Sequence, residues 1–413
     1  MKPHNTGSRE PFDDVCRFLI KLGKAAHDYG STSGRLEIYL SRLTAALGYS
    51  GAFRVTPTEM TFAFQEDQAQ PQRMHMTSLP AGGLDLDKLA RVGDMIDDIE
   101  NGALSLADAA TRLDEIGKTA LPWGQLANAL SYVLIGAGIA VIFAGSWWDT
   151  LFAAIFSLVV FGVILLSGRF GTFAAEWLPL TTAFVAAALT AVTQLFIPQL
   201  NLVLVTLSAI VVLLPGYTIS LGIIELVGQQ TVSGTANLMR GLVYLVKQIL
   251  GAWLGAALVL ALLPRDAAAF GTAVNPQWLW LFMPLLIVAL CVVFQTSRRD
   301  LIPAALGCGI AYGGILLGSA LVGGNLGNLL GTVVAVAFAN LWARQTGRPT
   351  SIVLLPAIIL LVSGSIGFRG LAAMAAGQAA TGEQQFVQMF IVALTIAAGV
   401  FIGNTIIRPK ATL

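Results

Sequence analysis

Charge is scarce in this 413-residue chain. Asp, Glu, Lys and Arg make up 11% of it, against about a quarter of a typical soluble domain. With 56% hydrophobic residues and a mean hydropathy of +0.75, this argues against a water-soluble enzyme. Cysteine is rarer still: Cys16, Cys291 and Cys308 are too few and too scattered for a disulfide framework. Histidine occurs only as His4, His27 and His75, and no Cys/His spacing resembles a zinc site. No metal and no cofactor is expected. The first 20 residues are charged and lack an apolar stretch, so we expect no cleavable secretory signal. No basic patch suggests nucleic acid.

The charges that exist are unevenly placed. Residues 1–122 hold 13 Lys and Arg and 17 Asp and Glu, whereas residues 123–413 hold 11 and 6. The chain reads as a polar head on a long apolar body. In the head, Val15, Phe18, Leu19, Leu22 and Ala26 recur at helical spacing, and so do Leu36, Leu40, Leu43 and Leu47. Gly30 and Gly48 are the expected stops, with Ser31 or Ser33 capping the second helix. Residues 53–65 and 73–79 alternate and predict a strand pair. Two further helices follow, the second opened by the capping spacing Ser105-x-x-Asp108. His27, Asp28, Ser31 and Ser33 cluster at the first helix turn, where a nucleophile and base are conceivable; helix-end capping is the plainer reading. No phosphate loop or nucleophile elbow occurs.

About 20 apolar residues cross a bilayer. Ten stretches qualify: 126–145, 150–167, 174–196, 201–224, 239–263, 277–296, 301–321, 325–343, 351–371 and 386–407. With the head in the cytoplasm, the loops and tail on that side carry Arg169, Arg240, Arg298, Arg299, Arg344, Arg348, Arg408 and Lys410, and the outside carries Arg265 and Arg369. Eight against two predicts that both termini are cytoplasmic.

The body repeats itself. Asp149-Thr-Leu-Phe-Ala-Ala matches Asp300-Leu-Ile-Pro-Ala-Ala, Val212-Leu-Leu-Pro215 matches Val353-Leu-Leu-Pro356, and Gly228-Gln229 with Gly234 matches Gly377-Gln378 with Gly382. Each unit holds five spans, so the second must be inverted relative to the first. That is a pattern of secondary transporters, with the site between the units; a channel or scaffold built by duplication is the alternative. The expected fold is an all-α polytopic membrane protein of ten helices in two inverted five-helix repeats (123–263 and 277–408), with a small α+β cytoplasmic N-terminal domain (1–122).

Pro215 and Gly216 interrupt an apolar run, followed by Thr218 and Ser220; Pro356 and Ser363 are the counterparts in the second unit. A broken helix exposes half-helix ends suited to a charged solute, although a simple proline kink reads the same way. Ionisable groups in spans are costly and mark function. Glu225 and Lys247 fall in one hairpin and are expected to pair, while Glu176 lies near the start of the third span. Asp149 and Asp300 open spans as N-caps, or serve as gates at opposite faces. Gln194, Gln229, Asn237, Gln248 and Asn325 can bind a polar solute or join helices. GxxxG spacings at Gly251/Gly255, Gly309/Gly313, Gly314/Gly318 and Gly323/Gly327/Gly331 predict close packing, within the chain or between copies of it.

Several segments resemble the threonine/serine exporter family of bacterial inner-membrane proteins. They run from Leu22-Gly23 through His27-Asp28-Tyr29-Gly30, then Arg35-Leu36-Glu37, Val55-Thr56-Pro57-Thr58 and Asp85-Leu86-Asp87-Lys88-Leu89. Leu214-Pro215-Gly216 and Val232-Ser233-Gly234 continue the series. The resemblance implies export of threonine and serine across the bacterial inner membrane, driven by the proton motive force. A branch with the halves on separate subunits is linked to succinate. Many members carry a Thr-Asn pair and a basic residue after the Pro-Gly; here Ser220-Leu221 and Ile224 stand there, with Glu225 at the acidic position. The expected partners are threonine, serine, protons and the bilayer. Glu225 is the first coupling candidate, followed by Lys247 and Glu176. The alternatives are a dicarboxylate exporter and a membrane-tethered hydrolase acting through the head.

Overall fold

The computed structural model describes residues 10–67, 69–79, 82–263, 269–361 and 364–409. Ser363, Arg265 and Lys410 lie outside these, as does the Asn325 side chain.

The head begins with α1 (Phe12–Asp28) and α2 (Ser33–Ala46), whose apolar faces are buried as their periodicity predicts. Gly30 stops α1 at φ +100°, a left-handed conformation that glycine adopts without a Cβ penalty. The cap position of α2 is Thr32, not Ser31 or Ser33, and its side chain makes no cap; Ser33 is the first helical residue. Residues 53–65 are not one strand. They divide into β1 (Ser50–Val55) and β2 (Glu59–Gln65), which with β3 (Arg73–Ser78) form an antiparallel sheet in the order β1-β2-β3. Pro57 has no N–H for a ladder, and the chain reverses there, with Thr56 N–H donating to the Glu59 carbonyl at 2.8 Å. Met60, Phe62 and Phe64 enter the core beneath α1 and α2. His75 is exposed. Helices α3 (Leu86–Glu100) and α4 (Leu106–Lys118) follow, and Ser105 caps α4 by accepting from Asp108 N–H at 3.2 Å.

Among the described residues the body is built of twelve α-helical segments. The first unit comprises α5 (Gly124–Ile142), α6 (Trp147–Ser167), α7 (Gly171–Thr193), α8 (Leu202–Ile210), α9 (Gly216–Val227) and α10 (Thr231–Leu262). The second comprises α11 (Leu279–Val293), α12 (Leu301–Val322), α13 (Gly324–Thr346), α14 (Ser351–Leu361), α15 (Gly364–Ala375) and α16 (Ala379–Ile406). Among the described residues nine segments are long and apolar enough to cross a membrane, Ser351–Ala375 counting as one. The α8–α9 pair qualifies only jointly, bent by 58°. Its break has a local cause. Leu214 precedes a proline, which disfavours helix at that position, and it is extended between a 3-10 turn at Val211–Leu213 and α9. Pro356, by contrast, sits inside α14, within the segment Ser351–Ala375 that is long and apolar enough to cross as one. Membrane helices tolerate an internal proline where neighbouring groups satisfy the freed backbone.

Small residues set the packing. A Cβ on Gly251 or Gly255 of α10 would lie 2.1 and 2.3 Å from the carbonyl oxygens of Leu180 and Phe184 on α7. On α12 and α13, Gly314 meets Gly331 and Gly318 meets Gly327. Gly222 of α9 abuts Gly234 of α10, and Gly370 of α15 abuts Gly382 of α16. Gly309 and Gly313 find no such partner within the chain: among the described residues nothing lies within 4 Å of a Cβ built on either.

The head docks on one end of the body and touches both units. Leu86 and Asp87 donate their N–H groups to the Phe294 and Gln295 carbonyls at 3.1 and 2.9 Å. Leu86 and Leu89 belong to the body's apolar core, and Gly93 packs on Pro349. On the other side the Ser33 and Ser233 hydroxyls are 2.8 Å apart. Arg240 donates to the Pro57 carbonyl at 3.0 Å.

Because backbone fills the space a side chain would need, Gly255→Val should push α7 from α10. Purified protein should show a lower midpoint for heat-induced aggregation, with Gly309→Val, in open space, leaving the midpoint unchanged.

Candidate functional site

The α8–α9 break meets the second unit at Gly364. A Cβ on Gly364 would lie 2.9 Å from the Cα of Gly216, the first residue of α9. The N-terminus of α9 therefore faces this spot, with partial positive charge from its unpaired N–H groups. Beside them lies a cavity of about 720 Å³, lined by the break residues Val211–Thr218 and by Ile359, Leu360, Gly364 and Ser365. Its wall is mostly aliphatic. The polar exceptions are Thr218, Ser365, Tyr217, Tyr244, Tyr312 and Arg240, together with the backbone of Gly82 and Gly83 from the head. At the end away from the head, Phe143 separates it from a smaller pocket holding Asn201 and Arg369. The Arg369 guanidinium stacks 4.7 Å over the Phe143 ring.

The expected residues divide around this cavity. Pro215, Gly216 and Thr218 line it. Ser220 is fully buried one turn further along α9, outside the lining, and its hydroxyl has no partner among the described residues. Pro356 is buried within α14, away from the break. Gln194 closes the end of α7, donating to the Leu200 carbonyl at 2.6 Å. Gln248 donates to the Leu213 carbonyl at 3.1 Å, which satisfies one group freed by the break.

Glu225 is 5% exposed, at the head-facing end of α9. One carboxylate oxygen accepts from Asn237 Nδ2 at 2.7 Å and lies 3.0 Å from the Ser233 hydroxyl. The other is buried with no partner among the described residues. The expected pair with Lys247 is not formed. Lys247 sits more than four turns along α10 from Thr231 at about 3.6 residues per turn, and it donates to the Glu176 carbonyl at 3.1 Å and lies over the Trp177 ring. Glu176 itself is exposed.

Asp149 is not the N-cap of α6. Ser146 is, and Asp149 closes a capping box with it, while its other oxygen accepts from Asn201 N–H at 2.8 Å. Asp300 occupies the cap position of α12 but bonds Ser297 Oγ at 2.7 Å and Arg348 at 2.8 Å. Burial pushes the Asp300 carboxyl above the usual range, opposed by Ser297 and the two arginines Arg348 and Arg299. Ser146-Trp-Trp-Asp149 and Ser297-Arg-Arg-Asp300 are thus the same device, and the shared Ser-x-x-Asp spacing was readable in the sequence. In the head, burial lowers the Arg35 guanidinium from its ordinary value, and Tyr217 of the body and Tyr39 oppose that shift.

The residues that sequence reasoning missed are the three tyrosines and Arg240. Arg240 was expected in a loop, but α10 starts at Thr231 and carries it to the cavity wall. The start of α10, eight residues before the apolar run, is polar (Thr231, Ser233, Thr235, Asn237), and hydropathy alone reads it as loop.

A long set of apolar helices with an interrupted pair around an internal cavity defines a multi-pass membrane protein of the transporter kind. The chain belongs to the threonine/serine exporter family. Residues 17–259 match the family described as "Putative threonine/serine exporter", and residues 279–406 match "Threonine/Serine exporter, ThrE". Among curated proteins it is similar to the pheromone-regulated membrane protein 10 of Candida albicans, 23% identical over 367 residues covering 85% of this chain and 32% of that protein. The same-named protein of Yarrowia lipolytica is 23% identical over 377 residues, covering 86% and 30%. An uncharacterized protein of Schizosaccharomyces pombe is 24% identical over 367 residues, covering 86% and 48%. The chain spans about a third to a half of the length of these relatives. No solved structure matches.

Cysteine placed at Thr218 should react with a small water-soluble methanethiosulfonate many times faster than cysteine at Ser220. Equal rates would remove Thr218 from the cavity. The native cysteines are buried and add little background.

Proposed function

We propose that the chain is a secondary active exporter of small hydroxylated amino acids, threonine and serine, driven by protons. The observation that carries this reading is the meeting of Gly216 and Gly364 at the cavity wall. There the N-terminus of α9 suits a carboxylate, and the carbonyls at the end of α8 suit an ammonium group. Pro215, Gly216, Thr218 and Ser365 form the solute path on this reading. Ser220, Gln194, Asn237 and Pro356 support it from behind, and Ser363 joins them by its place in the repeat.

The same reading takes the body as ten spans in two inverted five-helix units. Paired contacts favour it. Asp149 ties the start of α6 to the start of α8, and Asp300 ties the start of α12 to Arg348 just before α14. Gly222–Gly234 in the first unit corresponds to Gly370–Gly382 in the second. Asp149 and Asp300 then act as braces at opposite membrane faces. Arg169, Arg298, Arg299, Arg344, Arg348 and Arg408 gather at the head-facing end, which favours a cytoplasmic head and tail. Cysteine introduced at Thr272, in the exposed α10–α11 connection, should react with an impermeant maleimide in intact cells. Reaction only after lysis would overturn the orientation and the inversion with it.

Coupling is assigned to Glu225. It is a buried carboxyl of the body with one oxygen unpartnered among the described residues and no ion pair, and a lone buried charge is costly. A proton is the counter-charge that this reading supplies. Lys247 and Glu176 lie apart from it and bear on the α7–α10 contact instead. Vesicles with an imposed pH gradient should accumulate labelled threonine and serine; accumulation of succinate alone would favour the dicarboxylate reading. Glu225→Gln should abolish accumulation against a gradient while retaining threonine exchange. Undiminished accumulation in that variant would place coupling elsewhere.

A further inference from the structure

We propose that Arg240 is the residue that binds the solute's carboxylate, and that the head positions it. The inference rests on the exporter reading and adds a ligand and a role for the head. Among the described residues lining the cavity, Arg240 is the only one with a charged side chain. It faces a wall of aliphatic groups, phenols and hydroxyls, with no carboxylate among those residues to neutralise it. A guanidinium carries five N–H donors in a planar fork, a shape that matches a carboxylate.

One of those donors is already in use. Arg240 Nη2 gives a hydrogen bond to the carbonyl of Pro57 at 3.0 Å. Pro57 lies in the turn between β1 and β2, so the acceptor is a backbone group of the head. A carbonyl takes up one N–H and leaves the remainder of the fork for another partner. Without that tether a long side chain samples many rotamers, and fixing them on binding costs affinity. The Pro57 turn therefore holds the guanidinium at the wall in advance. The head is anchored for this task on both units, through Ser33 to Ser233 beside the tether and through Gly93 on Pro349 across the seam. Gly82 and Gly83 bring the head's backbone to the same cavity. The solute site is thus shared between head and body, and it selects for a carboxylate.

The test uses the full chain in lipid nanodiscs and measures binding of threonine and of threoninol, which keeps the amine and the side-chain hydroxyl but has a hydroxymethyl group in place of the carboxylate. Arg240→Gln should weaken threonine binding roughly ten- to a hundredfold, the range for a charge-assisted hydrogen bond, and should leave threoninol binding unchanged. Arg240→Lys should recover part of the loss. Gly93→Leu collides with Pro349 and should loosen the head. It should weaken threonine binding in the parent protein but not in the Arg240→Gln background, because head and arginine act on one contact. Threonine binding undiminished in Arg240→Gln would overturn the assignment. Additive effects of Gly93→Leu and Arg240→Gln would overturn the role of the head and leave the ligand. If the parent protein binds neither threonine nor serine, the exporter reading itself fails. If threonine binds and all variants match the parent, only this inference fails.

Discussion

The contact between Gly216 and Gly364 is the constraint on which the body depends. Two chain segments pass each other at a distance that leaves no room for a Cβ, and one of them is the break between α8 and α9. That interruption frees backbone groups that lipid cannot satisfy, and they must face protein or a water-accessible space. The cavity beside the contact is that space. The Gln248 amide covers one of the freed carbonyls, at Leu213, while the N–H groups at the start of α9 remain directed at the site. Packing, polarity and the location of the cavity follow from one close approach.

Glycine pairs play the same part at the flanks. Gly222 with Gly234 and Gly370 with Gly382 draw each half-helix against the long helix that follows it. Gly251 and Gly255 seat α10 on α7. With lipid as the solvent, burial of apolar surface does little to hold helices together, and close van der Waals contact takes over. The break at Pro215 is therefore held from both sides by backbone-to-backbone contacts, which bend less readily than side-chain contacts.

The large features of the fold were legible because they rest on local rules. Helical spacing gave α1 to α4, apolar length gave the membrane segments, and Pro215 marked the first break. Pro356 misled because its identity suggested a break, whereas its position inside α14 removed the consequence. Pro57 was read as part of a strand, although its missing N–H ends one. At the site, Thr218 was visible from its place after the break. Arg240 was not, because its role depends on where α10 starts and on what the Pro57 turn touches, and both are set by tertiary contacts. The Glu225–Lys247 pair failed for a related reason. Both residues are on one hairpin, but the pitch of α10 carries Lys247 far up toward α7.

The head grips α10 of the first unit through Pro57 and Ser33, and it grips the α11 terminus and the α13–α14 connection of the second through Leu86, Asp87 and Gly93. It thus spans the seam as a clamp with one jaw on each half. If the halves rock as rigid bodies, the separation between the jaws changes, and the head must strain, tilt or let go of one side. A domain placed in this way sets a mechanical threshold for the movement, and the strength of its weaker jaw determines how far the seam can open.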